Sequence, residues 1–503
     1  MVNVASFLAL SAQRHPDRCA VRFADRRLSY AQLREQASRF GSALLGRGLR
    51  RGDRVALLLP NCPQYLVALF GAWYAGLVAV PVNAKLAGPE VEVILGDSGA
   101  RALVYATATA KAVGGLDLGG LVTVEVDARS PGPDAFDRLL AEGRPDLEPA
   151  AVDGDDLAWL FYTSGTTGRP KGAQLTHRNL NVMTWALLAD VCDFRPDDVV
   201  LHVAPLSHGS GLYSLGAVAR GAEHLIYDGA SFDPPAVLDL IERERVTVIA
   251  FLAPTMIVML LGADSKADTS SLRCAVYGGA PIHVEHARRM LDRFGPVFVQ
   301  IYGQGESPMT ITYLSHARMP DVPLNSAGVP HPGVEVRVVD GDDRPLPPGQ
   351  AGEVCVRGDV VMRGYWNNPA ATERALRGGW LHTGDIGHFD EQGNLFLLDR
   401  SNDVIISGGS NIYPREVEEV LLRHPAVAEV VVFGVPDPLW GENVVAAVVP
   451  AVTPPPPEQE LVEFSRAHIA SFKKPKKIVY VDALPKNAYG KVLRREARRL
   501  AAA

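Results

Sequence analysis

Four runs of β-branched and aromatic residues each stop at a glycine-bearing or polar loop: LAWLFY at 157, VTVIAFLAP at 246, LRCAVYGGAP at 272 and VFVQIYGQGE at 297. Apolar runs this short, closed by glycine or proline, have the make-up of strands buried on both faces. Helical patterns such as VEHARRMLDRF follow or separate them, so the reading is an α/β fold with a largely parallel sheet. In such sheets ligands sit beyond the carboxyl ends of the strands, where these loops fall. The four loops are therefore expected to converge on one site.

The first loop is the most polar. TSGTTGRPKG, residues 163 to 172, packs three glycines, four hydroxyl residues, an arginine, a proline and a lysine into ten positions. Glycines let the backbone turn its amides toward a ligand, Thr163, Ser164, Thr166 and Thr167 offer hydroxyls, and Lys171 adds a charge. That is phosphate-binding chemistry, at a spacing other than the G-x-x-x-x-G-K-[ST] of a P-loop.

With 503 residues the chain exceeds one ordinary core, so two or more domains are expected. Its formal net charge of -7 argues against a general affinity for nucleic acid or anionic membrane. The charge is uneven: Phe472 to Arg499 holds ten Lys or Arg against Asp482 and Glu496, a local +8 that leaves -15 on the rest. Five scattered cysteines without metal-ligand spacing fit reduced thiols, with neither disulfides nor zinc, in a cytoplasmic protein. The most membrane-like run, YLVALFGAWYAGLVAV at 65 to 80, is shorter than the ~20 residues a spanning helix needs and reads as a buried helix entering a strand. No basic residue precedes the apolar VASFLAL near the start, so a signal peptide is not expected, nor an integral membrane contact.

After about residue 330 the pattern changes to short strands and turns, VEVRVVDGDDRPLPPGQAGEVCVRG, which suggests an antiparallel, barrel-like portion. A smaller α+β unit begins near Asp399, with PREVEEVLLRHPAV as an amphipathic helix and AEVVVFGV and NVVAAVVP as strands. The division read from this is a large domain over 1–398, a hinge at 399–402 and a small mobile domain over 403–503.

Seven motifs in register, TSGTTGRPKG, PLSHGSG at 205, YGGAP at 277, YGQGE at 302, GWLHTGD at 379, DRSNDVIISGGSNIYPREVE at 399 and PKNAYGKVLRRE at 485, resemble those of the adenylate-forming superfamily. Its members include the AMP-forming acyl-CoA synthetases, adenylation domains and luciferases, and the resemblance spans nearly the whole chain. It implies a large N-terminal α/β domain with a distorted β-barrel subdomain and a small mobile C-terminal domain. It also implies a ligase that uses ATP, Mg²⁺ and coenzyme A to convert a carboxylic acid to its acyl-AMP and then to a thioester.

By this resemblance Thr163, Ser164, Gly165, Thr166, Thr167 and Gly168 cradle the departing phosphates, with Lys171 nearby, and Glu306 ligates Mg²⁺. Gly279, Ala280, Pro281 and Tyr302 form the adenine site, with Gly303 and Gln304 beside it. Asp385 accepts the ribose hydroxyls, and Arg400 contacts ribose or phosphate. Lys491 is the catalytic lysine. For coenzyme A it implies a tunnel at Gly408 and Gly409, stacking by Trp440, and a phosphate face at Phe472, Lys473 and Lys474.

His208 resembles the gating aromatic or histidine, and Asn402 stands at the hinge where relatives carry Asp or Lys. Trp185, Gly209, Ser210, Gly211, Phe251, Met256, Gly305, Met309 and Thr310 are the acyl-pocket positions. Gly305 replaces the family's threonine, which removes a hydroxyl and is expected to give the acyl pocket room. The pocket residues are apolar with no arginine for a second carboxylate, which favours an aromatic or medium-chain monocarboxylic acid. A carrier-protein acceptor, and a basic-tailed nucleic-acid binder on the same fold, are the rival readings; beyond Phe472 at its start, only Tyr480 and Tyr489 interleave the basic tail, few for stacking on nucleic acid. A homodimer is compatible with the sequence.

Overall fold

In the computed structural model the described residues are 2–127, 135–164, 170–400, 403–407, 410–438, 440–486 and 492–502; the side chains at 164 and 500–502 are not described. Three of the four expected strands lie side by side. Val248–Leu252, Cys274–Gly278 and Phe298–Tyr302 run parallel within a nine-stranded sheet, each buried along its whole length. Their carboxyl ends bring Phe251, Gly279 and Tyr302 to one edge.

The fourth run is elsewhere. Leu157–Ser164 belongs to a six-stranded sheet, where it pairs parallel with Val78–Pro81 and antiparallel with Pro170–Thr176. The strands on either side of the polar stretch are thus paired with each other, with Thr163 opposite Lys171 and Ser164 opposite Pro170. The site lies between loops of two sheets rather than along one.

The membrane-like run forms the helix Pro63–Tyr74, all of it buried, followed by the strand Val78–Pro81. It packs on the helix Tyr30–Gly46 through facing glycines. A Cβ on Gly71 would lie 2.7 Å from the Ala37 carbonyl oxygen, and one on Gly41 2.5 Å from that of Gly71. Close backbone approach, rather than flexibility, explains glycine there. Among the described residues no helix is long and apolar enough to cross a membrane.

Beyond residue 330 come four antiparallel strands in sequence order, Glu335–Val339, Gly352–Arg357, Leu381–Phe389 and Leu395–Arg400. A bridge between Gly328 and Leu395 joins this four-stranded sheet to the preceding chain. The last hundred residues build a five-stranded sheet around the hairpin Val427–Asp437 and Gly441–Pro450, with helices Pro414–Leu421, Glu458–His468 and Arg494–Ala502. That unit has its own core, in which Ile405, Val417, Val432, Val444, Leu461 and Ile478 are buried together.

Candidate active site

Three motif residues meet on the carboxylate of a fourth. Asp385, buried on the strand Leu381–Phe389, accepts hydrogen bonds at Oδ2 from the Tyr302 hydroxyl (2.7 Å) and from Gln304 Nε2 (2.7 Å). Its Oδ1 lies 2.6 Å from Arg400 Nε, because Asp385 and Arg400 are register partners on adjacent strands. Gln304 also donates to the Thr383 carbonyl (2.9 Å). Burial and the Asp385 charge push the Tyr302 phenol far above its ordinary value, so it remains a donor.

The turn carrying Asp385 is braced from below. Glu353 accepts the Gly384 amide at Oε1 (3.0 Å), and its Oε2 lies 2.9 Å from His382 Nδ1 and 3.1 Å from Arg377. Cys355 Sγ is 3.3 Å from the same histidine nitrogen. Glu353, Cys355 and His382 have metal-ligand spacing in space, though not in sequence. Burial raises the Cys355 thiol to about 12, and Glu353 is already committed to Gly384, His382 and Arg377.

A second carboxylate, Glu306, accepts the Tyr365 hydroxyl at Oε1 (2.7 Å), with Thr163 Oγ1 at 3.4 Å from the same oxygen. Lys171 Nζ lies 5.1 Å from the centre of the Tyr365 ring, within cation–π reach. Tyr365 therefore joins the strand that bears Lys171 to Glu306. Sequence reasoning missed it; the signal was RGYW, aromatics inside a Gly- and Asn-rich turn. Gly165, Thr166, Thr167, Gly168, Asn402, Gly408, Gly409, Lys491 and the Ser164 side chain lie outside the described residues.

The acyl-pocket positions divide. Gly209 packs on Phe251, where a Cβ would sit 3.1 Å from the ring, and Phe251 with half-buried Met256 and Met309 lines one apolar cluster. His208 stands edge-on to Phe161 at 5.3 Å, with Nδ1 3.0 Å from Ser207 Oγ. Burial lowers its pKa to about 4, so it is neutral at neutral pH. Gly279 and Pro281 are exposed and Ala280 half-buried at the open end of their strand.

Four of the positions do not serve as expected. Trp185 is 57% exposed, on the same helical face as exposed Arg178. The Thr310 side chain is buried and gives its hydroxyl to the Pro308 carbonyl (2.6 Å). Ser210 is fully buried with Oγ 2.8 Å from His202 Nδ1. Gly211 likewise has no space beside it, since a Cβ would fall 1.7 Å from the Leu206 carbonyl oxygen.

Gly305 gives no free room either. A Cβ there would lie 2.6 Å from Thr163 Cγ2 and 2.7 Å from the Phe161 ring, so buried Phe161, absent from the sequence reading, occupies that volume. Gly305→Thr is expected to displace Phe161 or Thr163 and lower adenylation at least ~10-fold, with overpacking of the usual ~1–3 kcal/mol. A variant with unchanged rate and unchanged unfolding midpoint would show that the site relaxes freely.

Behind Ser210 lies a buried histidine pair, His202 Nε2 and His224 Nδ1 at 2.9 Å. Burial drives both pKa values down, His224 to about 3 and His202 well below its ordinary value. A histidine with a depressed folded pKa binds more protons when unfolded, so this stability is present above about pH 6.5 and lost as pH falls toward the folded value. Each ring is expected to cost up to ~1.4 kcal/mol per pH unit below that point. Urea midpoints measured from pH 7 down should fall steeply in the wild type and less so in His224→Leu; equal slopes would contradict it.

The coenzyme A positions are at the surface. Trp440 is 47% and Phe472 52% exposed, and Lys476 Nζ lies 5.7 Å from the Trp440 ring centre. Lys473 is committed, with Nζ 2.7 Å from both oxygens of Glu416, while Lys474 donates to the Ser471 carbonyl (3.1 Å). Lys486 pairs with Glu429 and Arg494 with three carboxylates. Among the described residues three of the ten basic positions, Lys473, Lys486 and Arg494, are thus paired with carboxylates, which weakens the nucleic-acid reading.

Residues 8–366 match the family described as AMP-binding enzyme, and residues 416–491 match the AMP-binding enzyme C-terminal domain. The chain is 41% identical over 504 residues to a feruloyl-CoA synthase from an Amycolatopsis species, covering 99% of each. It is 38% identical over 519 residues to the fatty acid–[acyl-carrier-protein] ligase ScoC of Streptomyces coeruleorubidus, covering 99% of this chain and 96% of that one. Among solved structures, the anthranilate CoA ligase AuaEII in complex with anthranoyl-AMP superposes with a TM-score of 0.91 at 28% identity, covering 99% of this chain and 98% of that chain.

Proposed function

This chain belongs to the AMP-binding enzyme family, and on that premise we propose that it is an ATP-dependent acid–thiol ligase that joins a monocarboxylic acid to coenzyme A through an acyl-AMP. The observation that carries the reading is the convergence of Tyr302, Gln304 and Arg400 on Asp385. A buried carboxylate acceptor held rigid by three donors is suited to orienting the ribose of a nucleotide.

A carboxylate is resonance-stabilised and a poor electrophile, so the acid is first activated. Its oxygen attacks the α-phosphorus of ATP, the bond from that phosphorus to the bridging oxygen breaks, and pyrophosphate leaves. The barrier is one of charge and position. Residues 163–168 and Lys171 hold the departing phosphates, and Lys491 meets the carboxylate and α-phosphate oxygens. Mg²⁺ would spread the phosphate charge, and Glu306 fits it: among the described residues both of its side-chain hydrogen bonds fall on Oε1, which leaves Oε2 to a hard cation. Neutral His208, set edge-on to Phe161, gates the acyl side without adding charge.

In the second step the coenzyme A thiolate attacks the acyl carbon, the bond from that carbon to the phosphate oxygen breaks, and AMP leaves with the oxygen. The resemblance assigns Gly408 and Gly409 to the pantetheine arm, and Trp440, Phe472 and Lys474 stand at the surface for its nucleotide end. The acyl side, with Phe161, Phe251, Met256 and Met309, is apolar and aromatic, which supports an aromatic or medium-chain acid with an uncharged tail. The test is a panel of carboxylic acids scored by pyrophosphate release, with and without coenzyme A. Acid-dependent release with a thioester only when coenzyme A is present is expected. Thioester formation on a phosphopantetheinyl carrier protein in preference to coenzyme A would move the reading to the acyl-carrier ligases.

A further inference from the structure

The described residues on either side of Lys491 pair with each other. Lys486 and Val492 form an antiparallel bridge, and the Leu493 amide donates to the Pro485 carbonyl (2.8 Å). The next residue, Arg494, is heavily engaged. Its Nη1 lies 2.8 Å from Asp399 Oδ1 and 3.3 Å from Asp403 Oδ2, its Nη2 2.7 Å from Glu418 Oε1, and its Nε donates to the Val432 carbonyl (2.9 Å).

Asp399 opens the segment read as the hinge, 399–402, and Asp403 follows it, so the two bracket its inner residues. Asp399 is nearly fully buried and also accepts the Arg415 amide at Oδ2 (3.2 Å). Its strand neighbour Arg400 holds Asp385, and successive strand residues face opposite ways. One short strand end therefore touches the nucleotide-orienting carboxylate on one side and the base of the Lys491 segment on the other. The path Asp385, Arg400, Asp399, Arg494 links them through four residues.

We propose that Arg494 is a positioning residue: by clamping the base of the Lys491 segment to Asp399 and Asp403, it ties the hinge angle to the placement of the lysine for acyl-AMP formation. The clamp uses a fork of fixed geometry, which arginine supplies and a point charge does not. It ties one side of the hinge to the other only while both aspartates are within reach, so it belongs to a single orientation of the small domain. This rests on the proposed role of Lys491 in adenylation.

The experiment measures the two half-reactions separately in full-length enzyme: acid-dependent exchange of pyrophosphate into ATP, and thioester formation from supplied acyl-AMP. Arg494→Gln is expected to lower kcat for exchange at least ~10-fold, the scale of misplacing a catalytic group, with KM for ATP within ~3-fold. Thioester formation should stay within ~3-fold of wild type. Arg494→Lys should recover part of the exchange rate, and Asp399→Asn combined with Arg494→Gln should be no worse than either alone, as for partners in one contact.

Equal loss in both half-reactions, a loss confined to thioester formation, or unchanged exchange in Arg494→Gln would each overturn the proposal. If Arg494→Gln does not fold, Asp403→Asn, which removes one partner only, carries the same comparison. Absence of exchange in the wild type with every acid would instead defeat the ligase reading itself.

Discussion

Replacing Lys491 by alanine should lower the rate of acyl-AMP formation at least ~100-fold while thioester formation from supplied acyl-AMP stays within ~3-fold of wild type. In the adenylation step negative charge from a carboxylate and a triphosphate is brought together, and a cation placed at that point acts mainly in the transition state. Removing one such contact typically costs ~3 kcal/mol or more, which is about two decades in rate. The thioester step joins a thiolate to an already activated acyl group and needs the lysine much less. Stopped-flow or exchange assays of each half-reaction separate the two. Equal loss in both would remove the assignment, since a residue holding the fold together would slow both.

Asp385→Asn is expected to raise KM for ATP about 100-fold with a smaller change in kcat. Asparagine keeps one acceptor oxygen and puts an NH2 where the other oxygen stood. One of Tyr302, Gln304 and Arg400, now donors to Asp385, must then face another donor. Hydrogen bonds to a charged acceptor are worth ~1.5–3 kcal/mol each, and the ribose is held but does not react, so the loss falls chiefly on binding. Tyr302→Phe removes one donor only and should cost ~10-fold or less. An unchanged KM for ATP in Asp385→Asn would take the ribose assignment away.

The sequence carried the chemistry of the site further than its shape. Strand runs ending at Gly278, Tyr302 and Leu252 were legible because β-branched residues closed by glycine or proline leave little alternative, and the strands do lie side by side. The same logic put LAWLFY in that sheet, whereas it pairs with Pro170–Thr176 in another. A short apolar strand does not say which sheet it joins, because that depends on long-range pairing.

Where the reading failed, a distant partner decided the outcome. Ser210 is captured by His202, itself set against His224 on the neighbouring strand. The volume beside Gly305 is filled by Phe161, because a missing side chain in a close-packed interior is normally filled by another. Trp185 falls on the solvent face of its helix, a matter of phase set by Leu180, Met183 and Ala186 packing inward. Tyr365, which joins Lys171 to Glu306, has no motif to announce it.

The most direct test of the central claim follows an oxygen atom. If the acid is activated by attack at the α-phosphorus, a substrate carboxylate labelled with oxygen-18 gives AMP carrying one labelled oxygen after thioester formation, with none in pyrophosphate. Mass spectrometry of the nucleotide and pyrophosphate products reads this in one turnover. Label in the terminal phosphate products, or ADP in place of AMP, would contradict an acyl-AMP intermediate and with it the proposed roles of Asp385 and Lys491.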